Sequence, residues 1–407
     1  MRERCLFCAL LVVCLLLPGM LAAESVKGTA QLWSYVPLDN PGLYPTIKTF
    51  NQSQDQAKIE AKFIPFADFK RQLTVALTAG NAPDCALVDN PDFASYIDLG
   101  AFEPLDARLA KWSYGQKDFY PGPWQSSVWN GRQYGIPFET NTLALFLNVD
   151  MFKAAGLDPN KPPKTWEDLT AYAAKLTKAG AYGLSVCAVA SEEGTFQWLP
   201  FLQQNGGDIY HLDSPAAAEA LQLWVDWVKK GYVSKEIVAM DQWSGVRVQF
   251  MNKQAAMMVN GPWCIVPLKN DAPSLNWKVA LLPGRKKQAS AMGGVDFGLI
   301  KGGKNLDAAW AFIDWLYRAE NAAEFWHIFG SLPLMPAAAA KAPYWKGDPI
   351  YEVFLEQMKY AAPRGPHPKW PRISEAIFTA MQEALTGMKT SPAALRDAAA
   401  KVKEIVR

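Results

Sequence analysis

The stretch GIPFETNTLALFLNVDMFKAAGLDPNKPPKTWEDL, residues 135–169, decides the fold class. Thr142 to Asn148 reads as a buried strand, because Leu143, Leu145, Phe146 and Leu147 are apolar and Pro137 and Asp150 bound the run. A short helix is expected next, with Asp150 as its N-cap, Phe152 and Ala155 facing inward, and Gly156 as the left-handed residue that ends it. Pro159, Pro162 and Pro163 force an extended spacer. Thr165, with Asp168 three positions on, then has the form of a capping box opening a helix at Trp166. Strand, helix, spacer and capped helix in this order are the units of an α/β protein.

The alternation extends through the N-terminal part of the chain. Residues 30–35 alternate as a strand, 43–50 read as a helix, 58–63 as a second strand, 66–79 as a second helix and 83–89 as a third strand. Strands alternating with helices call for a mostly parallel sheet, whose ligands sit beyond the carboxyl ends of its strands. Trp33, Ser34 and Asp89 lie at such ends, although Asp89 on its own could equally cap a helix near Asp92. Further on, Ser214 and Pro215 open a helix whose stripe of Leu221, Trp224, Val225 and Val228 is core, and Gly231 stops it.

The chain of 407 residues carries 41 lysines and arginines against 39 acidic residues, with neither sign in blocks, which excludes a nucleic-acid or membrane-surface binder. Arg2 and Arg4, an apolar run from Leu6 to Leu17 and the small residues Ala22 and Ala23 before Glu24 have the form of an export signal. That run is shorter than the ~20 residues a membrane span needs. A lipid-anchored alternative would acylate Cys14, but Val13 is bulky where a small residue is expected. Removing residues 1–23 takes three of the six cysteines and leaves Cys85, Cys187 and Cys264. Three cannot all pair, and core thiols are expected over a disulfide. His211, His327 and His367 are scattered and no Cys/His spacing suggests a metal, so neither metal nor cofactor is called for. The remaining chain exceeds one typical core, so two lobes are expected.

Several of these segments together resemble the bacterial extracellular solute-binding proteins of sugar ABC importers. The match runs through Gly135-Ile136-Pro137, Leu145 to Asn148, Phe152 to Leu157 and Pro163 to Leu169, with Leu147 where the family usually has Tyr. It continues through Gly80 to Asp84, Gly100 to Asp106, Phe250 to Met257, Asn260 to Trp263, Leu306 to Leu316, Pro363 to Trp370 and the closing helix capped by Ser391. The resemblance implies a type II periplasmic-binding-protein fold: lobe 1 from 24–138 with 291–336, lobe 2 from 139–290 with 337–407, each a mostly parallel sheet flanked by helices, and a ligand cleft between them. It further implies a periplasmic monomer that closes over a carbohydrate and delivers it to membrane permease subunits, with no catalysis.

Sugar rings present apolar C–H faces edged by hydroxyls, so such a cleft needs flat aromatic surfaces and a few placed polar groups. Most of the 16 tryptophans read as helix-face residues. Trp263 instead sits in a Gly-Pro loop after a strand, where it can serve as a platform. The ligand-binding set implied is Trp33, Ser34, Asp89, Glu139, Asn141, Trp263, Gly293, Gly294, Asp296 and Arg364. The paired glycines could be only a bulge, or let bare backbone approach the ligand. Arg364 has two readings, a partner for a carboxylate of the other lobe or a donor to the ligand. A glycosidase built on Asp89 and Glu139 is the remote alternative. Glycerol phosphate or another polyol or phosphorylated ligand is the nearer one, but a phosphate wants more than one cation.

Overall fold

Eleven strands order the described residues, 28–341, 345–365 and 367–407 of the computed structural model. They are β1 Gly28–Ser34, β2 Ala57–Phe63, β3 Cys85–Asp89, β4 Val128–Trp129, β5 Arg132–Gln133, β6 Gly135–Thr142, β7 Ala144–Asn148, β8 Met257–Asn260, β9 Trp277–Ala280, β10 Ser290–Leu299 and β11 Ala361–Pro363. The segment read as an export signal and Cys14 lie outside the described residues.

The first lobe is built on a six-stranded sheet. β2, β1 and β3 run parallel, as the helices between them require. β10 joins β3 antiparallel over Val295–Leu299 and pairs with β6 antiparallel over Met292–Gly298. β11 pairs with the start of β10. The inward residues of β1, Ala30 and Leu32, pack with Leu43, Ile47 and Phe50 of the helix Leu43–Ser53, all fully or almost fully buried.

The second lobe holds the three-stranded sheet β8-β7-β9. Its pairs are antiparallel, unlike the mostly parallel sheet expected there. The chain passes from the larger sheet to the smaller through the single residue Leu143, so β7 leads away from the first lobe while β9 leads back toward it. Leu145 and Leu147 on one face of β7 join a second core, where Trp198, Trp224 and Trp227 pack with Trp370 and Ile377 of the helix Trp370–Leu385 and Leu395 of the helix Ser391–Val406, while Phe146 of β7 and Met258 of β8 belong to the first core.

The sequence marks Pro137 as the boundary of a strand, yet it lies inside β6. The register shifts between Val295 and Asp296, which face Glu139 and Pro137, so Phe138 is an extra residue. β6 pairs with β10 alone, and an edge strand beside a bulge tolerates a proline that a regular central strand would not. It turns Phe138 into the core against Phe325 and Phe329, at ring-centroid distances of 5.1 and 5.9 Å.

Two helix caps differ from the sequence reading by one or two positions. Asn148, not Asp150, caps the helix Val149–Ala154: its Oδ1 accepts from the backbone N–H groups of Asp150 and Met151 at 3.1 and 3.0 Å. Asn148 is buried at the end of β7, where its side chain meets the helix entry, whereas Asp150 already lies in the first turn. Thr390 rather than Ser391 caps the last helix. The capping box of Thr165 and Asp168 is present, with both bonds made. Gly156 has φ +66°, the left-handed turn expected. Cys85, Cys187 and Cys264 are buried free thiols.

Asn148→Ala is therefore expected to cost about 1 to 2 kcal/mol in denaturant melts, and Asp150→Ala no more than about 0.5 kcal/mol. The reverse order would return the cap to Asp150.

Candidate functional site

Between the lobes lies a cavity of about 390 Å³. Its lobe-1 wall comes from the chain after β1 (Tyr35, Val36 and Pro37), from Phe63 and Phe66, and from Asp89 at the end of β3. Its lobe-2 wall is Glu192, Glu193 and Phe196 of the helix Glu192–Gln204, the turn Asp241–Ser244, and Trp263. Glu139, Asn141, Gly294 and Arg364, which lie on the segments joining the two, complete it.

The aromatic residues are held by local geometry. The Ser34 hydroxyl accepts from the Val36 N–H at 3.0 Å, turning the chain so that Tyr35 enters the cavity, packed edge-on to Phe66 and Phe69. Trp263 follows β8 in a short 3-10 turn. A Cβ on Gly261 would lie 2.0 Å from its indole, and one on Gly330 would lie 2.6 Å from its Cα. Two bare backbones thus seat this residue, Gly261 against its ring and Gly330 against its main chain. Phe196 stands 6.4 Å away, centroid to centroid.

Among the described residues Arg364 is the cation that lines the cavity, and it is almost wholly buried. Its Nη1 donates to Asp89 at 3.0 Å and Glu192 at 2.8 Å, and its Nη2 to Asp89 at 2.8 Å and Asn90 at 3.4 Å. Nε donates to the Met292 carbonyl at 3.3 Å. These contacts use all five N–H groups a guanidinium has. Asp89 ends a strand of the first lobe and Glu192 opens a helix of the second, so one side chain ties the two. Burial alone would lower its pKa, but Asp89 and then Glu192 outweigh that and raise it. The other Glu192 oxygen accepts from the Trp370 indole N–H at 3.0 Å.

The remaining carboxylates meet no such cation. Glu139 accepts from the Asn141 amide at 2.7 and 2.9 Å, and burial pushes its pKa up to about 8. Burial likewise lifts Glu193 to about 7. Glu193 accepts from the Gln242 N–H at 2.8 Å. Asn141 Oδ1 is buried without a hydrogen-bond partner.

Of the ten residues singled out from sequence, Asp89, Glu139, Asn141, Trp263, Gly294 and Arg364 line the cavity and four do not. Trp33 lies two residues before Tyr35, still within β1. It pairs in register with Lys62 of β2, whose Nζ lies 4.3 Å from its ring, so it covers the sheet rather than the cleft. Ser34 shapes the turn. Gly293 packs where a Cβ would lie 2.2 Å from Asn141 Oδ1, so its bareness makes room for a lining residue. Asp296 lies past the bulge and turns away, accepting from the Ser126 hydroxyl at 3.0 and 2.9 Å, with burial lifting its pKa to about 8. Sequence reading missed Tyr35, Glu192, Glu193, Phe196, Asp241 and Trp243. Ser191 followed by two acids is a helix start that could have drawn attention to Glu192 and Glu193.

A family model for bacterial extracellular solute-binding proteins matches residues 46–353. The chain belongs to that family. A relative from Brucella abortus described as a binding protein is 26% identical over 88% of each chain. The sn-glycerol-3-phosphate-binding periplasmic protein of Salmonella paratyphi A is 25% identical over 89% of each. Among solved structures, an ABC-transporter solute-binding protein from Thermotoga lettingae bound with alpha-D-tagatose superposes with a TM-score of 0.87 at 28% identity, covering 94% of this chain and 100% of that one. The two-lobe architecture is thus that of a solute-binding protein, with the cavity at its lobe junction.

For this solute-binding protein the buried acids set a pH dependence. A carboxyl whose folded pKa is raised takes up protons on folding between its unfolded and folded values, so its stabilising effect is lost as pH rises through that window. For Glu139 the window runs from 4.5 to about 8. Glu139→Gln is expected to match wild type in melting near pH 5 and to exceed it increasingly toward pH 8, by on the order of 3 kcal/mol. A difference that does not vary with pH would mean Glu139 is ionised throughout.

Proposed function

We propose that this chain is the extracytoplasmic binding component of an ABC importer, that it captures a mono- or disaccharide in the interlobe cavity, and that closure of the lobes presents the loaded form to membrane permease subunits. The observation that carries the reading is the composition of the cavity: aromatic faces from Tyr35, Phe196, Trp243 and Trp263 beside hydrogen-bonding groups, with no free cation among the described residues. Flat rings stack on sugar C–H faces and the polar groups take the hydroxyl edges. The volume sits at the lower end of the ~300–1,000 Å³ typical of small-molecule sites, which suits one or two sugar rings.

The family relationship supports import, and the tagatose-bound relative supports a sugar. The glycerol-phosphate relative favours a phosphorylated ligand, but here Arg364 has no N–H left for a phosphate, and acids face the cavity from both lobes. A glycosidase fits poorly for a related reason: both Asp89 oxygens are engaged by Arg364 and both Glu139 oxygens by Asn141. We place the mature protein in the periplasm as a monomer. Among the described residues no helix is long and apolar enough to cross a membrane.

A thermal-shift and calorimetric panel of mono- and disaccharides with their phosphates tests the reading. A cognate sugar at ~100 times its dissociation constant should add about 2.7 kcal/mol of stability, and phosphorylating it should abolish that gain. Solution scattering should show compaction on loading. Trp263→Ala should weaken the same sugar by about 1 to 3 kcal/mol while the protein still melts cooperatively. Tighter binding of the phosphate, or an unchanged affinity in the variant, would overturn the assignment.

A further inference from the structure

Polar and apolar residues are not spread evenly around the interlobe cavity. Asp89, Glu139, Asn141, Glu192 and Arg364 are all buried and close one end of it. At the other end Pro65 and Ser244 are exposed, and Pro37, Phe63, Phe66 and Trp243 are half-buried. The cavity therefore opens between a lip of the first lobe and the turn Asp241–Ser244 of the second. Its inner end is polar and its mouth is not.

On the lobe-1 side of the mouth, Val36, Pro37, Phe63, Pro65 and Phe66 have no hydrogen-bonding atom in their side chains. The polar side chains of that wall are used elsewhere. Asn40 Oδ1 accepts from the Gly42 and Leu43 N–H groups, both at 2.9 Å, and its amide donates to the Phe329 carbonyl at 3.4 Å. The Tyr35 hydroxyl belongs to the inner end, where burial and then the charges of Asp89 and Glu139 hold its pKa well above the usual phenol range. Across the mouth, the polar atoms of lobe 2 are committed to their own turn. Asp241 Oδ1 accepts from the Ser244 and Gly245 N–H groups at 2.5 and 3.2 Å, and its Oδ2 from the Ser244 hydroxyl. Trp243 beside them has Arg247 stacked over one face at 4.2 Å.

A ring held at this mouth meets carbon on one side and engaged polar groups on the other. A second sugar ring would press hydroxyls against the lobe-1 lip, and each one that loses water without a new partner is costly. Hydroxyls turned to the opening stay in water, so such a ring is tolerated without being favoured. A flat apolar group gives up no hydrogen bond and buries its surface against the same side chains.

We propose that the ligand is a glycoside with an aromatic aglycone: the sugar ring occupies the inner end, with its hydroxyls toward Glu139 and Tyr35, and the aglycone lies in the mouth against Phe63, Pro65 and Phe66. This rests on the sugar-binding reading above and narrows its substrate class. One sugar and one aryl ring together are no larger than the two sugar rings that a cavity of about 390 Å³ suits.

The test is a matched set built on glucose, galactose, mannose and xylose. Each sugar is carried as the methyl glycoside, the phenyl glycoside and the disaccharide with glucose in place of the aglycone, in both anomers. Calorimetry should give the phenyl glycoside of the best sugar at least about tenfold tighter binding than its methyl and disaccharide counterparts, with a more negative heat-capacity change. Phe66→Ser, checked for cooperative melting, should cut the phenyl-to-methyl preference at least about threefold, and Pro65→Ser on the exposed lip carries the same expectation if Phe66→Ser does not fold. Equal or weaker binding of the phenyl glycoside, while a methyl glycoside or disaccharide binds, would overturn this inference and leave the sugar reading standing. A phenyl preference that survives these substitutions would overturn it as well, since the aglycone would then lie elsewhere. If no member of the set binds, both readings fall.

Discussion

The guanidinium of Arg364 holds a carboxylate from each lobe, and the arrangement of the cavity depends on that clasp. Taking two acids and a base out of water is expensive, and their attraction repays it only when every donor and lone pair is well placed. Here Arg364 has Asp89 in a two-point grip, Glu192 on one nitrogen, Asn90 on the other and the Met292 carbonyl on the third. It also lies 4.3 Å over the Phe196 ring, which excludes water from one face. Such a network contributes geometry more than net stability. It fixes how the end of β3 stands against the start of the helix Glu192–Gln204, and hence the width of the cavity between them.

The same clasp decides ligand chemistry. An arginine in a binding cleft ordinarily points to an anion, and in isolation Arg364 would do so here. With its donors consumed by the protein it offers an incoming phosphate nothing, while Glu139, Glu193 and Asp241 remain facing the cavity. The electrostatics therefore run against the charge of the glycerol phosphate that a 25% identical relative carries in its name. Burial raises the pKa of both Glu139 and Glu193, which favours their neutral forms in the cavity wall.

Much of the fold was legible because it rests on local signals. The capping box at Thr165, the left-handed Gly156, the Ser214–Pro215 helix start and the strand at 85–89 are each set by neighbours within a few residues. What escaped depends on long-range pairing. The bulge that admits Pro137 into β6 exists only because β10, more than 150 residues later, lies beside it. The same bulge separates Gly294, which lines the cavity, from Asp296, which bonds Ser126. Trp33 and Tyr35 are two residues apart, and only the register with Lys62 and the turn at Ser34 show which one reaches the cleft. Glu192 and Glu193 could be read as ordinary first-turn acids until Arg364 and Gln242 were placed against them.

The claim that one arginine couples the two lobes is tested most directly by a double-mutant cycle on its two partners, Asp89→Asn and Glu192→Gln, read as unfolding free energy. Either substitution alone leaves Arg364 one carboxylate, whereas both together leave a buried cation with none. The double variant should therefore lose more than the sum of the singles, by at least about 1 kcal/mol. Additivity within about 0.5 kcal/mol would show that Asp89 and Glu192 do not share Arg364, and the clasp would not exist.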